Sequence, residues 1–205
     1  SLITKIDYKI SEKYLLNFDS AIQTSKDYIQ KTNPNDDLSY SSALKTSLTL
    51  NGYNINRFDD NLNINFSNYQ SSQNNEDNKT IPTVIPHVKY NTGKINYNNY
   101  EMYNVIEAYN IIRDKPTEIH SKSQRKFSSD IFLKNEEVKF GTRFTYRMNL
   151  YNQFFNVENK IINSNSISTN YFRVFPIIGM DLETPFKLKK NYKDLVYKPK
   201  IQFIL

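Results

Sequence analysis

The amino-acid sequence predicts an all-β fold, an antiparallel up-and-down meander of about ten strands. Apolar and polar side chains alternate along most of the 205-residue chain, which is the period of an extended strand. Short polar turns alternate with longer polar segments, as expected when strands run up and down and one end of the sheet carries the longer connections. Aromatic residues make up 14% of the chain, too many for a disordered polar segment.

The predicted strands follow one another from a patterned segment at the N-terminus. Further alternating segments lie at residues 14–23, 44–51, 61–66, 138–150, 178–186 and 197–203. Residues 97–112 also fit helical spacing, but a strand is favoured there because the neighbouring segments are strands. Short turns are predicted at residues 11–13, 56–60, 91–94 and 135–137. Longer connections are predicted at residues 24–41, 70–80, 113–124, 151–169 and 187–194.

Residues 138–150 give the clearest alternation. The even positions are almost all apolar, and the odd positions carry Lys139, Arg143 and Arg147. As a single strand, at about 3.3 Å per residue, this segment would reach about 43 Å. That length is unusual for a soluble strand but suits a tilted strand that crosses a membrane.

The composition argues against a catalytic or metal-binding protein. The chain has no cysteine, which excludes disulfides, thiolate metal ligands and cysteine nucleophiles. His87 and His120 are its two histidines, and neither lies in a catalytic or metal-binding motif. The adjacent acids at 59–60 and 136–137 are assigned to turns, because neighbours on a strand point to opposite faces. We therefore expect neither an enzyme nor a cofactor.

The net charge of +6 raises the possibility of a polyanionic partner. The basic residues are spread along the chain and do not gather on one predicted face. A nucleic-acid-binding surface needs such clustering, so nucleic acid is not expected as a partner.

Two environments accommodate strands that are apolar on one face and polar on the other. In a soluble β-sandwich, a binding module for example, the apolar faces point inward; in a large transmembrane barrel they point to lipid. The chain has no run of about 18 apolar residues, so a transmembrane helix is not predicted. Charges on the polar face, aromatic residues near strand ends and long strands favour the barrel, but the alternation alone leaves both open.

Three segments, in order along the chain, resemble motifs of one family. Residues 81–90, IPTVIPHVKY, resemble the IP-x-V-x-P segment of the lipopolysaccharide-assembly outer-membrane proteins, the LptD family. Residues 171–186 resemble its R-x-x-P-x-x-G-x-D-x-x-x-P-F strand. Residues 197–203 are similar to its L-E-P-x-x-Q strand, with Lys198 where the family usually has Glu. Residues 19–28, followed by the strand at 38–50, follow the order of the α-proteobacterial members.

The resemblance implies a central fragment of a large barrel in the outer membrane of a Gram-negative cell. Residues 1–205 would form a partial outer-membrane β-barrel domain, without the periplasmic jelly-roll, the gate strands and the remaining barrel strands of the family. The implied function is non-enzymatic insertion of lipopolysaccharide into the outer leaflet. The implied partners are lipopolysaccharide, an LptE-like plug lipoprotein and the periplasmic bridge protein of the export system. A general porin or another transporter barrel is the alternative at the same location.

The candidate site residues are charged side chains that would face the lumen of such a barrel. They are Lys139, Arg143, Arg147, Arg173, Asp181 and Glu183. The four basic residues are candidates for contacts with lipopolysaccharide phosphates or an acidic plug surface. The favoured interpretation is a charge network within the lumen wall that includes the two acids.

A second set of candidates consists of prolines inside or beside strands, where each removes a ladder hydrogen bond. They are Pro82, Pro86, Pro176, Pro185 and Pro199. In a large barrel such sites weaken strand pairing locally or mark a bend. Strand ends are favoured for Pro86 and Pro185.

Overall fold

The computed structural model describes residues 2–26, 28–32, 34–35, 41, 43–72, 77–162, 165–184, 186–190, 193–197 and 199–204. The strands of the first half are β1 (Leu2–Lys9), β2 (Tyr14–Ile22), β3 (Ala43–Tyr53), β4 (Asn61–Ser71), β5 (Thr83–Asn91), β6 (Ile95–Tyr97) and β7 (Tyr100–Ile112). Those of the second half are β8 (Ser123–Lys139), β9 (Thr142–Ile162), β10 (Asn165–Glu183), β11 (Phe186–Lys190), β12 (Lys193–Tyr197) and β13 (Lys200–Ile204). The helices are short: α1 (Tyr28–Thr32) and a 3-10 turn (Asn78–Thr80).

The strands form an antiparallel meander, as the alternation predicts. The order in the main sheet is β1-β2-β3-β4-β5-β7-β8-β9-β10-β13, with β6 paired to the start of β7. Along the chain, the hairpin β11–β12 comes between β10 and β13 and forms a separate two-stranded sheet. Within the described residues β1 does not pair with β13, so the sheet is open and has two edges.

The segment predicted as the longest strand, residues 138–150, contains a hairpin turn. β8 ends at Lys139, and β9 begins at Thr142. Phe140 and Gly141 between them have φ values of 52° and 74°, the left-handed pair that a two-residue β-turn requires. The alternation continues on both arms and therefore hides the turn from a sequence pattern. The turn predicted at residues 135–137 lies inside β8.

Two other predicted connections are wrong, and one predicted strand is confirmed. Residues 151–169 were predicted as a long loop, but β9 runs to Ile162 and β10 starts at Asn165. Residues 187–194 were predicted as a linker, but β11 and β12 include most of them. The strand at residues 97–112 is confirmed as β7. The errors share a cause: strands with one polar face carry the Asn, Ser and Lys residues that otherwise indicate loops.

The connections differ in length between the two ends of the sheet. At one end, residues 10–13, 54–60 and 140–141 join consecutive strands, and at the other end the connections span 23–42, 72–82 and 113–122. We call these the short-turn end and the long-connection end. The last connections depart from this pattern: two residues separate β9 from β10 at the long-connection end, and residues 184–199 separate β10 from β13 at the short-turn end. The strands are also staggered: Asn61, Asn91, Val105 and Asp130 lie in one row, yet β8 continues from Asp130 to Lys139 toward the short-turn end. Such a stagger is typical of tilted strands in a barrel wall.

The sheet is a single layer with almost no apolar core. The buried apolar residues among those described are Ala21, Ile29 and Leu44. A soluble sandwich would instead press two apolar faces together over its whole length. The apolar faces of these strands therefore have no protein partner in this structure.

The carboxylate of Asp60 organises the β3–β4 turn. It accepts backbone N–H bonds from Ile55 at 2.5 Å, Asn56 at 2.9 Å and Arg57 at 3.1 Å, and a bond from the Tyr90 hydroxyl at 3.2 Å. Burial alone raises the pKa of Asp60, but these donors outweigh it and hold the pKa below the ordinary value of 3.8.

The Asp60 turn is expected to loosen in acid. A carboxylate with a lowered folded-state pKa stabilises the fold above its ordinary pKa and loses that contribution as the pH falls through the folded value. The amide NMR shifts of Ile55 and Asn56 should therefore change below about pH 4. The amide of Asn104, which donates to Thr92 Oγ1 at 2.9 Å, is the internal control. Asp60→Asn should remove the acid transition, and a transition that persists in this variant would contradict the assignment.

Candidate functional site on the polar face of the sheet

The strand register assigns every side chain of the main sheet to one of two faces. Residues paired across antiparallel strands lie on the same face. The row Leu50, Ile64, Val88 and Ala108 belongs to one face, which we call the apolar face. The row Asn51, Asn63, Lys89 and Glu107 belongs to the other, the polar face.

Carboxamides connect the first four strands on the polar face. Asn17 Nδ2 donates to Asp7 Oδ1 at 2.5 Å, Asn51 Nδ2 donates to Asn17 Oδ1 at 2.8 Å, and Asn63 Nδ2 donates to Asn51 Oδ1 at 2.7 Å. Each donor lies in a different strand from its acceptor, so the chain of bonds runs across β1 to β4. These carboxamides suit contact with water or with hydroxyl groups. Charged residues of β1 to β3 share the same face: Lys5, Asp7, Lys9, Asp19 and Lys45.

An ionic cluster occupies the middle of the polar face on β5, β7 and β8. Glu107 Oε1 lies 2.9 Å from His87 Nε2, and Glu107 Oε2 lies 2.5 Å from Lys126 Nζ. The Lys126 ammonium lies 5.7 Å from the centroid of the Tyr109 ring, and the His87 ring contacts the same tyrosine edge-on. Glu107 thus bridges two strands through two basic partners, which fixes their register on this face.

A second group of charges lies toward the short-turn end of the polar face. Arg147 forms an ion pair with Asp181, whose side chain is 7% exposed. Lys134 pairs with Glu136 at 2.8 Å, and Glu101 pairs with Lys94 at 3.1 Å. Positive and negative side chains alternate here, so this part of the face is a network of ion pairs and has no strong net charge.

Five of the six charged candidates share the polar face. The register pairs Arg143 with Glu183 and Asp181 with Thr145, and it places Arg147 and Arg173 on the same side. The pairing of Arg147 with Asp181 agrees with the favoured interpretation, a charge network within the sheet. Arg143 and Arg173 are exposed and remain available for an external anion.

Lys139 was wrongly grouped with them. It pairs with Thr142 across the hairpin turn and lies on the apolar face. Its Nζ contacts Glu137 Oε2 at 2.6 Å on the same strand. The two-residue turn at Phe140–Gly141 reverses the chain. Continuing the odd–even alternation of residues 142–150 back through this turn therefore assigns Lys139 to the wrong face.

The prolines divide between strand ends and strand interiors. Pro82 and Pro199 directly precede β5 and β13. Pro86 was expected at a strand end but lies inside β5, where the register shifts against both neighbouring strands, because proline has no N–H to donate. Pro176 lies in β10, which pairs with β13 only from Gly179 onward and so has an open edge at the proline. Pro185 lies outside the described residues.

The apolar face is exposed and ordered into rows across β7 to β10. One row of exposed aromatic residues crosses it near the long-connection end: Phe127, Phe154 and Phe172. A second crosses it near the short-turn end: Tyr100, Tyr146 and Phe203. Exposed aliphatic residues lie between the two rows: Met102, Met148, Val174 and Ile178. A continuous exposed apolar surface of this kind marks contact with another protein or with lipid.

Polar side chains within this apolar band hydrogen-bond to their neighbours. Ser129 Oγ donates to Asn104 Oδ1 at 3.2 Å, and Asn152 Nδ2 donates to the carbonyl of Ser129 at 3.1 Å. The band is bounded by charged pairs on both sides: Arg125 with Glu158 at 3.1 Å, and Lys139 with Glu137. These side chains therefore have protein partners within the band, and the charged pairs lie at its borders.

The ionic cluster was missed by sequence reasoning. His87 was read as non-catalytic, and Glu107 and Lys126 were not singled out, because the three residues lie on three different strands. The alternation of side chains along each strand places all three on the polar face. A prediction of how β5, β7 and β8 pair would therefore have shown that they are neighbours. The bulge at Pro86 prevents such a prediction, since it shifts that parity between Val84 and His87.

No protein-family model matches this chain, and no curated protein is significantly similar to it. No helix within the described ranges is long and apolar enough to cross a membrane. The same residues contain no group of three or more His, Cys, Asp or Glu side chains suited to holding a metal ion.

Proposed function

We propose that this chain is part of the wall of an outer-membrane β-barrel that inserts lipopolysaccharide into the outer leaflet. In this proposal the apolar face contacts acyl chains, and the polar face lines a water-filled lumen. The function is transport without catalysis, in the outer membrane of a Gram-negative cell. The proposed partners are lipopolysaccharide, a plug lipoprotein in the lumen and the periplasmic bridge protein that delivers the substrate.

The observation that carries the membrane part of the proposal is the exposed apolar band between two aromatic rows. Phe154 and Tyr146 mark the two aromatic rows on β9, and at about 3.3 Å per residue they are about 26 Å apart along the strand. A tilt of about 40° reduces this to about 20 Å, which is of the same order as the apolar band of about 25 Å in outer-membrane barrels. Aromatic residues at both borders are the usual residues of a membrane interface.

The lipopolysaccharide part of the proposal is supported by the three segments that resemble the LptD family. The segments at residues 171–186 and 197–203 include β10 and β13, which pair directly from Gly179–Ile204 to Glu183–Lys200. The segment at 81–90 includes the bulged strand β5. The open edges of β1 and β10 are compatible with a sheet that continues into further strands, because long unpaired edges are a liability in an isolated sheet.

Photo-crosslinking in living cells tests this proposal. The photoreactive residue p-benzoylphenylalanine replaces Asn149 on the polar face of the full-length protein, and the matched control carries it at Met148, the adjacent residue on the apolar face. Lipopolysaccharide in transit through the lumen should crosslink at Asn149 and depend on the energy supply of the export system. At Met148 the crosslinks should be to bulk lipid and independent of that supply.

Two outcomes would reject the proposal in different ways. Ion conductance in planar bilayers, with no crosslink to lipopolysaccharide at Asn149 and no surface defect after depletion, would favour a porin or another transporter. Detergent-free solubility of the full-length protein would favour the soluble binding module.

A further inference from the structure

The long-connection end of the sheet holds a polar cavity that the transport proposal does not use. Its volume is about 540 Å³, and its lining includes residues that follow β2, β4 and β7 in the chain: Gln23, Asn78 and Arg113. The strand residues that line it include Thr46, Asn68 and Thr83, which form one row of the sheet. This row is directly beyond the last apolar row, so the cavity opens at the polar border of the apolar face.

The cavity is lined by a buried guanidinium that has no carboxylate partner among the residues the structure describes. Arg113 is 8% exposed, and its Nη1 donates to the neutral carbonyl of Ser121 at 3.2 Å. Its Nε has no hydrogen-bond partner among the described residues. Burial lowers the pKa of Arg113 from its ordinary value. A buried cation is costly unless an anion accompanies it, so this arrangement favours an anionic ligand.

Gln23 also lines the cavity and carries a second buried donor. Gln23 is 5% exposed; its Oε1 accepts from the Ile29 amide at 3.4 Å, whereas its Nε2 has no partner among the described residues. The Gln23 backbone is fixed by Gln70, which donates to its carbonyl at 2.9 Å and accepts from its amide at 3.1 Å. Further carboxamides and hydroxyls in the lining, those of Asn68, Asn78, Thr46 and Thr83, suit a ligand rich in hydroxyl groups.

Asp114 also lines the cavity and is exposed, so the cavity has a positive side at Arg113 and a negative side at Asp114. An anionic group is favoured beside Arg113 and disfavoured beside Asp114. A hydroxyl-bearing part of the ligand is compatible with both the carboxamides and the aspartate. The ligand is therefore expected to be anionic at one position and neutral elsewhere.

We propose that this cavity binds the phosphate or carboxylate group of a hydroxyl-rich ligand, such as an acidic sugar, with Arg113 and Gln23 as the recognition residues. The site is distinct from the polar face and does not rest on the transport proposal. Because it lies at the border of the apolar face, the anionic group has two possible sources. It belongs either to a free sugar phosphate or to the headgroup of a membrane lipid.

Calorimetric titration of the full-length protein in nanodiscs tests the site. The probe is glucose 6-phosphate, and the matched neutral probe is glucose. We expect glucose 6-phosphate to bind at least about tenfold more tightly than glucose, since a charge-assisted bond is lost with the phosphate. Nanodiscs of zwitterionic lipid and of phosphatidylglycerol separate the two sources: if the anionic lipid competes with the sugar phosphate, the natural ligand is a headgroup, and otherwise it is a free sugar phosphate.

The variants are Arg113→Gln and Gln23→Glu, with Arg57→Gln at the opposite end of the sheet as the control. Each of the first two should weaken glucose 6-phosphate binding by about tenfold or more, through loss of the cation or through repulsion. Arg57→Gln should bind as the unchanged protein does. Gln23→Glu preserves the size of the side chain and the acceptor for Ile29, so it tests the site even if Arg113→Gln fails to fold.

Three results would overturn the proposal. The first is equal affinity for glucose and glucose 6-phosphate. The second is unchanged binding in both variants. The third is the absence of binding by glucose 6-phosphate together with no effect of anionic lipid in the unchanged protein.

Discussion

Met148→Arg is expected to block insertion of the protein into bilayers, whereas Asn149→Arg is expected to be tolerated. The two residues are adjacent on β9, between the rows of Tyr146 and Phe154, and point to opposite faces. An arginine on the lipid-facing surface of a barrel costs about 2–4 kcal/mol at the midplane and less toward the borders, so an intermediate cost is expected at Met148. An arginine on a water-filled lumen keeps its hydration, so the neighbouring substitution should cost little.

Refolding into vesicles, followed by denaturant titration, measures this difference. The free energy of unfolding should fall by at least about 1 kcal/mol in Met148→Arg and by less than about 0.5 kcal/mol in Asn149→Arg. Phe140→Arg, at the tip of the β8–β9 hairpin and outside the band, is a further control for the added charge. Equal effects at 148 and 149 would contradict the assignment of the two faces.

Arg147→Gln is expected to destabilise the sheet more than Asp181→Asn. Asp181 is buried, with its side chain 7% exposed, whereas the Arg147 side chain is 42% exposed. Removing the arginine leaves a buried carboxylate without that guanidinium, and removing the aspartate charge leaves an arginine that water can reach. For this partly exposed pair we expect a loss of about 2–3 kcal/mol for Arg147→Gln and less than about 1 kcal/mol for Asp181→Asn.

A double-mutant cycle in vesicles checks this pair. The coupling energy between positions 147 and 181 should be about 1–3 kcal/mol. Arg143→Gln is the matched control, since Arg143 is an exposed arginine on the same strand and face. If Arg143→Gln costs as much as Arg147→Gln, the loss arises from the net charge of the face and not from the ion pair.

The fold class was predictable because a period of two is a local property of each strand. The meander also follows from sequence, since consecutive strands joined by short connections pair with each other. The turn at Phe140–Gly141 was not predictable in the same way. The alternation passes through it unbroken, and the glycine with φ of 74° is its only local sign.

The side-chain interactions on the polar face were only partly predictable. Arg147 and Asp181 were both among the candidates, but their pairing depends on the register between β9 and β10. The cluster of His87, Glu107 and Lys126 depends on two further registers and on the bulge at Pro86. Register is set by side-chain packing and turn geometry over the whole strand, so single residues do not reveal it.

The order of the strands has a consequence for how the protein reaches its final structure. With few exceptions, each strand pairs with the next one along the chain, and β1 to β10 need no distant segment to form their ladders. Loop-closure entropy is then small at every step, so hairpins are expected to assemble early and to recruit their neighbours in turn. The following strand then pairs with each newly exposed edge, and the sheet grows outward from the hairpin that forms first.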